Sequence, residues 1–364
     1  MSKWSAYADD VVFSVCYCWS QGMSVTSVAD WVRREKGVAL NREQIYPLLV
    51  EGRRRGYLRI CPPEAEDLAT RMRDLFGHGW AEGRSRRIKI ISTGGPRDPG
   101  PVASAAADTA FDVICEMWEH NKRSRRSAPV RVGLGAGYTT MAVAWHLAIL
   151  LRSLGDKGPR IVFHALNSGY RVDDPMTAPV FYFSFFHEFG KEWPKFMALF
   201  APPFVETGAY AQTIGWPNIK KAFAARTEID VVITALGSAA DDHGQLTKLI
   251  KDYEQLGPDT HRTLLEEGWV GDVQYRPYSA SGPITTETEI RTVTLFELEE
   301  YVKLSADRDK AVILLTGPCR DCNTSRADAL LPLLQEPSLL VWSHLVMSVD
   351  IAQACVDAVA PARP

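Results

Sequence analysis

No apolar run among the 364 residues is long enough to cross a bilayer, and the first ten residues mix Lys, Ser, Tyr and Asp where a signal peptide would be apolar. Membrane partners are therefore not expected, and the cytoplasm is the expected compartment. A dominant charge is missing too: 41 Lys and Arg stand against 44 Asp and Glu, a net charge of −3, so nucleic acid or an anionic membrane can be attracted only by a local patch. Cysteine is sparse. Seven residues (16, 18, 61, 115, 319, 322, 355), odd in number and scattered, exclude a disulfide framework and fit reduced thiols. Cys319 and Cys322 have a metal-like spacing, but no second Cys or His pair lies near them in sequence, so neither a metal nor another cofactor is expected. What is present is core material: 46% hydrophobic and 23% charged residues suffice for two domains.

Residues 6–19 read as a helix that Gln21-Gly22 stops. Residues 24–36 read as a second, with Val25, Val28, Ala29 and Val32 on one face and Ser24 or Thr26 as cap. Asn41 suits the N-cap of a third, whose face is Ile45, Leu48 and Leu49 and in which Pro47 is the discordant residue. Three short helices make residues 1–62 a helix-turn-helix domain, with 57–60 as a short strand. Across residues 31–60, Arg33, Arg34, Lys36, Arg42, Arg53, Arg54, Arg55 and Arg59 face only Glu35, Glu43 and Glu51, the local excess that phosphate contacts require. Operator DNA is the expected partner. In such a module Asn41, Arg42, Glu43 and Gln44 would read base edges, while Arg53, Arg54, Arg55 and Arg59 would grip phosphates.

Residues 63–82 form a linker whose helix, 64–76, carries Leu68, Met72 and Leu75 on one side, either packed on its own domain or pairing two subunits. Residues 83–364 begin with a strand at 84–91, a Gly- and Pro-rich loop at 93–103, a helix at 104–120 and a basic loop at 121–127. Strand and helix then alternate (130–134, 139–154, 160–166, 230–236, 245–256, 311–316, 325–334), which argues for an α/β domain with a mostly parallel sheet and ligands off the carboxyl ends of its strands. The loop Gly133-Leu134-Gly135-Ala136-Gly137 opens a helix whose first residues are Tyr138, Thr139 and Thr140. It is either an anion site, fed by backbone N–H groups and the helix dipole, or a tight turn. The aromatic stretch 181–187 either walls a pocket or packs the core. Asp241, Asp242 and His243 support a rival enzymatic reading, since a carboxylate and an imidazole near a bound sugar could move protons.

These residues carry a resemblance. The short helix-turn-helix ending in residues 55–60, the linker 67–77, the loop 133–141, Val-Val-Ile-Thr-Ala-Leu-Gly-Ser at 231–238, Gly271-Asp272-Val273 with Gly282, and Leu314-Leu315-Thr316-Gly317 resemble the SorC-type, DeoR-related sugar-binding transcriptional regulators over most of the chain. The resemblance implies a non-enzymatic regulator that binds operators as a homodimer or homotetramer. Its effector domain would be related to phosphosugar isomerases and coenzyme A transferases, and would hold a small sugar or sugar phosphate. Gly135, Gly137, Tyr138, Thr139 and Thr140 would hold the phosphate, Asn167 would touch the sugar, and Asp272 would accept from its hydroxyls. The sequence departs from the pattern after residue 317, where Pro318 and the segment 319–322 intervene and Arg326 is the nearest cation, and again at Ser343-His344.

Overall fold

Four termini of the first three helices have a local cause. The computed structural model describes residues 3–59, 61–80, 86–93, 98–124, 128–170, 174–187, 194–254, 260–319, 322 and 324–359. Helix α1 (Asp9–Ser20) ends before Gly22, whose φ is +80°. In α2 (Val25–Lys36) the Ser24 side chain accepts from Ser27 N–H, and Gly37 closes the helix in the left-handed region. A capping box starts α3 (Arg42–Arg54): Asn41 Oδ1 accepts from Gln44 N–H and Gln44 Oε1 from Asn41 N–H, and the helix runs through Pro47. Val12, Val15, Val28, Val32, Ile45 and Leu48 close a small core of their own. Residues 57–59, expected to begin a strand, form none; Ile60 lies outside the described residues.

Helix α4 (Glu66–Phe76) buries Leu68, Ala69, Met72 and Phe76 in a second, larger core and packs against the helix Val349–Val359, while Leu75 turns to solvent. The apolar face that could have paired subunits is therefore covered by its own chain. α5 (Gly100–Arg123) begins earlier than the sequence suggests, with Pro101 inside its first turn, where a missing N–H has no cost. Residues 94–97 of the expected loop, 125–127 of the basic loop, and 84–85 ahead of the first strand lie outside the described residues. α6 is Tyr138–Ser153. Among the described residues no helix is long and apolar enough to cross a membrane.

The strands are β1 (Arg87–Ile91), β2 (Val130–Leu134), β3 (Ile161–Ala165), β4 (Lys195–Met197), β5 (Phe204–Glu206), β6 (Val231–Ser238), β7 (Trp269–Val273), β8 (Arg276–Ser279), β9 (Gly282–Pro283), β10 (Ile290–Thr292), β11 (Ala311–Thr316) and β12 (His344–Ser348). Seven of them make a parallel sheet in the order β1-β12-β11-β6-β2-β3-β4. Helices cover both faces, so β11 is buried at every residue and reads as an unbroken apolar run. From β2 the chain winds outward through β3 to β4, and from β6 outward through β11 to β12. The order thus reverses between β2 and β6, which leaves a crevice at their carboxyl ends.

One departure from this plan shapes the crevice. β6 outruns its parallel neighbours, and its last residues Leu236, Gly237 and Ser238 pair antiparallel with Val273, Asp272 and Gly271 of β7. The β7–β8 hairpin closes through Gln274 and Tyr275, both at positive φ (+52° and +63°). A two-residue turn of this hand normally takes Asn or Gly, so two large side chains here hold a strained backbone, a condition that concentrates at ligand sites. The aromatic stretch does the other job the sequence left open: Tyr182, Phe183 and Phe186 are buried, Phe186 stacks on Phe163, and none lines the crevice.

Candidate functional site

A cavity of about 220 Å³ occupies the crevice. Its floor is the glycine loop after β2. Gly137 has φ +122°, open only to glycine, and an ideal Cβ on Gly135 would stand 1.8 Å from Gln274 Nε2. The loop's N–H groups are engaged within the protein: Gly135 N–H donates to Ile233 O (3.0 Å), Ala136 N–H to Asn167 Oδ1 (3.0 Å), and Gly137 N–H to Thr177 O and the Tyr182 hydroxyl (3.0 Å each). These three groups therefore do not form the anion cradle expected of the loop. The first turn of α6 does face the cavity, and its N-cap, Gly137, has no capping side chain. Tyr138 and Thr139 line the cavity; Gly135 lies beneath Gln274, and Thr140 is fully buried outside it.

The residues of the walls carry buried polar atoms that no group among the described residues satisfies. Asn167 accepts through Oδ1 but its Nδ2 has no partner. Gln245 Oε1 takes the Tyr275 hydroxyl while its Nε2 has none. Gln274 Nε2 donates to Thr234 Oγ1 while its Oε1 has none. Arg326 Nη2 donates to Asp241 Oδ2 (3.0 Å) while its Nε has none. All four residues line this cavity. Each buried orphan costs about 1–3 kcal/mol, and three donors and an acceptor of this kind belong to residues that line one space.

Asp272 adds an anionic acceptor. It is 7% exposed, its Oδ2 accepts from Tyr275 N–H (3.1 Å), and its Oδ1 stands where a Cβ on Gly237 would be, 2.1 Å away. Burial pushes its carboxyl up to about 6 and nearby Asp241 adds to the rise, against the Tyr275 N–H and Arg326, which favour the charged form. Burial likewise pushes the Tyr275 hydroxyl up, so it stays a donor. The sequence brought Asn167, Asp272 and Arg326 forward but not Gln245, Gln274 or Tyr275. The only signal for the last two was a two-residue gap between strands, without a turn-forming residue in it.

The acid/base constellation of the enzymatic reading is not assembled. Asp241 is buried and bound to Arg326 and to His243 N–H (2.9 Å), whereas Asp242 is exposed and pairs with Lys251 (2.6 Å) away from the cavity. His243 sits at the rim, and among the described residues no carboxylate hydrogen-bonds its ring.

At the amino end the structure divides the basic residues. Asn41 and Gln44 are occupied by the capping box, and Gln44 Nε2 also donates to the Tyr7 hydroxyl (3.1 Å). Arg54 and Arg55 both clasp buried Glu51, and Arg59 reaches Asp108 on α5 (2.7 Å), joining the two cores. Exposed Arg33, Arg34, Arg42 and Arg53 form no ion pair among the described residues, and Glu43 is exposed beside Arg42.

No protein-family model and no curated protein matches the chain. Solved structures do. The full-length sorbitol operon regulator SorC from Klebsiella pneumoniae is 14% identical over 96% of this chain and 100% of its own, with a TM-score of 0.57. A DeoR family transcriptional regulator from Listeria monocytogenes is 17% identical over 80% of this chain and 98% of its own (TM-score 0.53). A transcriptional regulator from Streptococcus pneumoniae is 12% identical over 80% and 97% (TM-score 0.52). The likeness is one of fold: over 96% of its length the chain is folded as the Klebsiella pneumoniae SorC protein is.

Proposed function

We propose that the chain is a DNA-binding transcriptional regulator, not an enzyme, and that its effector is a small neutral sugar or polyol held in the cavity between β2 and β6. The carrying observation is the set of buried orphan atoms on Asn167, Gln245, Gln274 and Arg326, four residues that line one cavity with the Asp272 carboxylate. Hydroxyl groups both donate and accept, and so complement that mixture. A phosphate would meet two carboxylates, Asp241 and Asp272, and one arginine already paired to the first. The effector residues under this reading are Gly137, Tyr138, Thr139, Asn167, Asp272 and Arg326, joined by Gln245, Gln274 and Tyr275.

A thermal-shift panel tests it. A neutral polyol at about 100 times its Kd should stabilise the protein by about 2.7 kcal/mol, a rise of several degrees, with the phosphorylated analogue weaker. A larger rise with the phosphorylated analogue would move the ligand to the α6 amino end and reject the neutral class.

On DNA, Arg42 and Glu43 at the start of α3 would face base edges, and Arg33, Arg34 and Arg53 the phosphates, with two reading heads of a homo-oligomer on paired half-sites. Binding to the operator should therefore weaken steeply with salt. Arg53→Ala should lower affinity about equally on all sequences and reduce the log–log salt slope by about 1, as measured by fluorescence anisotropy. An unchanged slope would remove Arg53 from the interface.

A further inference from the structure

Parallel pairing of β6 with β11 sets the loops that follow these strands side by side, so Asp241 after β6 and Cys319 after β11 line the same edge of the cavity. There one ligand atom each from Asp241, Cys319 and Cys322 lies within 4.8 Å of the others. Asp241 is 2% exposed, Cys319 is buried and Cys322 half-buried, and neither cysteine is in a disulfide. Cys322 Sγ stands 3.9 Å from Asp241 Oδ1 and 3.3 Å from Thr324 Oγ1.

We propose that Cys319, Cys322 and Asp241 bind a thiophilic divalent cation, zinc above all, with the fourth coordination position open to the cavity. The cysteine pair alone is too small a set, and the third ligand comes from the loop after β6, beyond the reach of sequence spacing. In a tetrahedral zinc site, bonds of about 2.3 Å to sulfur and 2.0–2.2 Å to carboxylate oxygen put the ligand atoms about 3.6–3.8 Å apart, so the cluster needs to contract by about an ångström at most. Two thiolates and a carboxylate carry −3; a divalent ion leaves −1, which the guanidinium of Arg326, 3.0 Å from Asp241, neutralises. Thiolate ligands select zinc and its soft neighbours over magnesium and calcium, which take oxygen. Loading would expel the thiol protons, so binding weakens as pH falls.

The site is independent of the polyol reading, because a protein indifferent to every polyol can still bind the ion. The test is a Co²⁺ titration of the full-length, reduced protein. Expected are a thiolate-to-cobalt charge-transfer band in the near ultraviolet and intense tetrahedral bands in the visible, saturating at one ion per chain and bleached by Zn²⁺. Cys319→Ser and Cys322→Ser should each abolish the charge-transfer band at one equivalent, while Cys61→Ser, at an exposed cysteine elsewhere, keeps it. Because Cys322 is only half-buried, its variant keeps the test decisive if Cys319→Ser misfolds. No charge-transfer band in the parent protein, or a band of undiminished intensity in Cys322→Ser, overturns the proposal.

Discussion

Asp272→Asn should melt at a higher temperature than the parent at pH 7 and lose its response to every polyol. The two effects share one cause. The Asp272 carboxyl is pushed from 3.8 up to about 6 by its burial first of all, so at pH 7 the folded protein carries an ionised group its surroundings disfavour. At about 1.4 kcal/mol per pH unit, that shift corresponds to about 2–3 kcal/mol of lost stability, which a neutral amide of the same shape restores. The amide oxygen can still accept from Tyr275 N–H, so the hairpin turn keeps its brace. What the amide lacks is charge. A charge-assisted hydrogen bond contributes about 1.5–3 kcal/mol, and a sugar giving two hydroxyls to the carboxylate would lose at least about a hundredfold in affinity.

The sign of the pH dependence separates this account from simple repacking. Below about pH 4 the carboxyl is protonated in both folded and unfolded chains, and parent and variant should melt alike. Between about 4 and 6 the unfolded chain ionises first, the parent loses stability, and the gap opens; above 6 it is constant. Polyol affinity of the parent should run the other way, falling as pH drops below 6 and the acceptor takes up its proton. Melting curves with and without polyol from pH 4 to 8 check both. A gap of equal size throughout, or a polyol response that survives the substitution, refutes the role given to Asp272.

How far the sequence disclosed this site depends on where each residue's partners lie. β2 and β11 are legible residue for residue, β11 because a parallel strand buried on both faces reads as an unbroken apolar run and β2 because a short β-branched run enters a glycine-rich turn. The loop after β3, with Asn167, follows from the alternation, whereas Asp272, inside β7, was implied only by the family resemblance. The geometry of the glycine loop does not follow: whether its N–H groups face a ligand or Ile233, Asn167 and Thr177 is decided by residues far off in the chain. The hairpin turn was illegible for a local reason, since Gln274 and Tyr275 adopt a backbone that their side chains disfavour and their sequence does not announce. At the amino end the signal was present with a second meaning. Asn41 and Gln44 stand at capping-box spacing as well as at the start of a recognition helix, and the structure uses them as the cap. Arginine counts are blind to burial, and that blindness concerns Arg54 and Arg55 most.

Glu51→Gln should unfold the amino-terminal module while leaving the effector domain folded and responsive to polyol. Glu51 is 4% exposed, and its two oxygens accept from Arg54 Nε (2.9 Å) and Nη2 (2.7 Å) and from Arg55 Nε (2.7 Å). Arg55, whose side chain is 12% exposed, extends to Asp9 Oδ1 (2.7 Å) and Tyr7 O (3.0 Å), so the cluster ties the end of α3 to the start of α1. The Arg54 guanidinium holds the Glu51 carboxyl below its ordinary range against the opposing pull of burial, with Arg55 assisting. Its stabilisation is therefore complete above about pH 4.5 and is lost as pH falls through the lowered value, so acid should mimic the substitution. Leaving the half-buried guanidinium groups of Arg54 and Arg55 without their carboxylate costs about 1–3 kcal/mol, a large share of the about 3–8 kcal/mol that holds a module of some fifty residues together. Because the module has its own core, calorimetry should show its transition moving far below that of the sheet domain, with operator affinity lost at temperatures between the two and the polyol shift of the upper transition intact. Arg53→Ala, one residue before Arg54 but exposed, should leave both transitions in place. If Glu51→Gln instead weakens DNA binding while the module melts as before, Arg54 and Arg55 are contacts to phosphate rather than struts, and they join Arg53 on the DNA side of that end of α3.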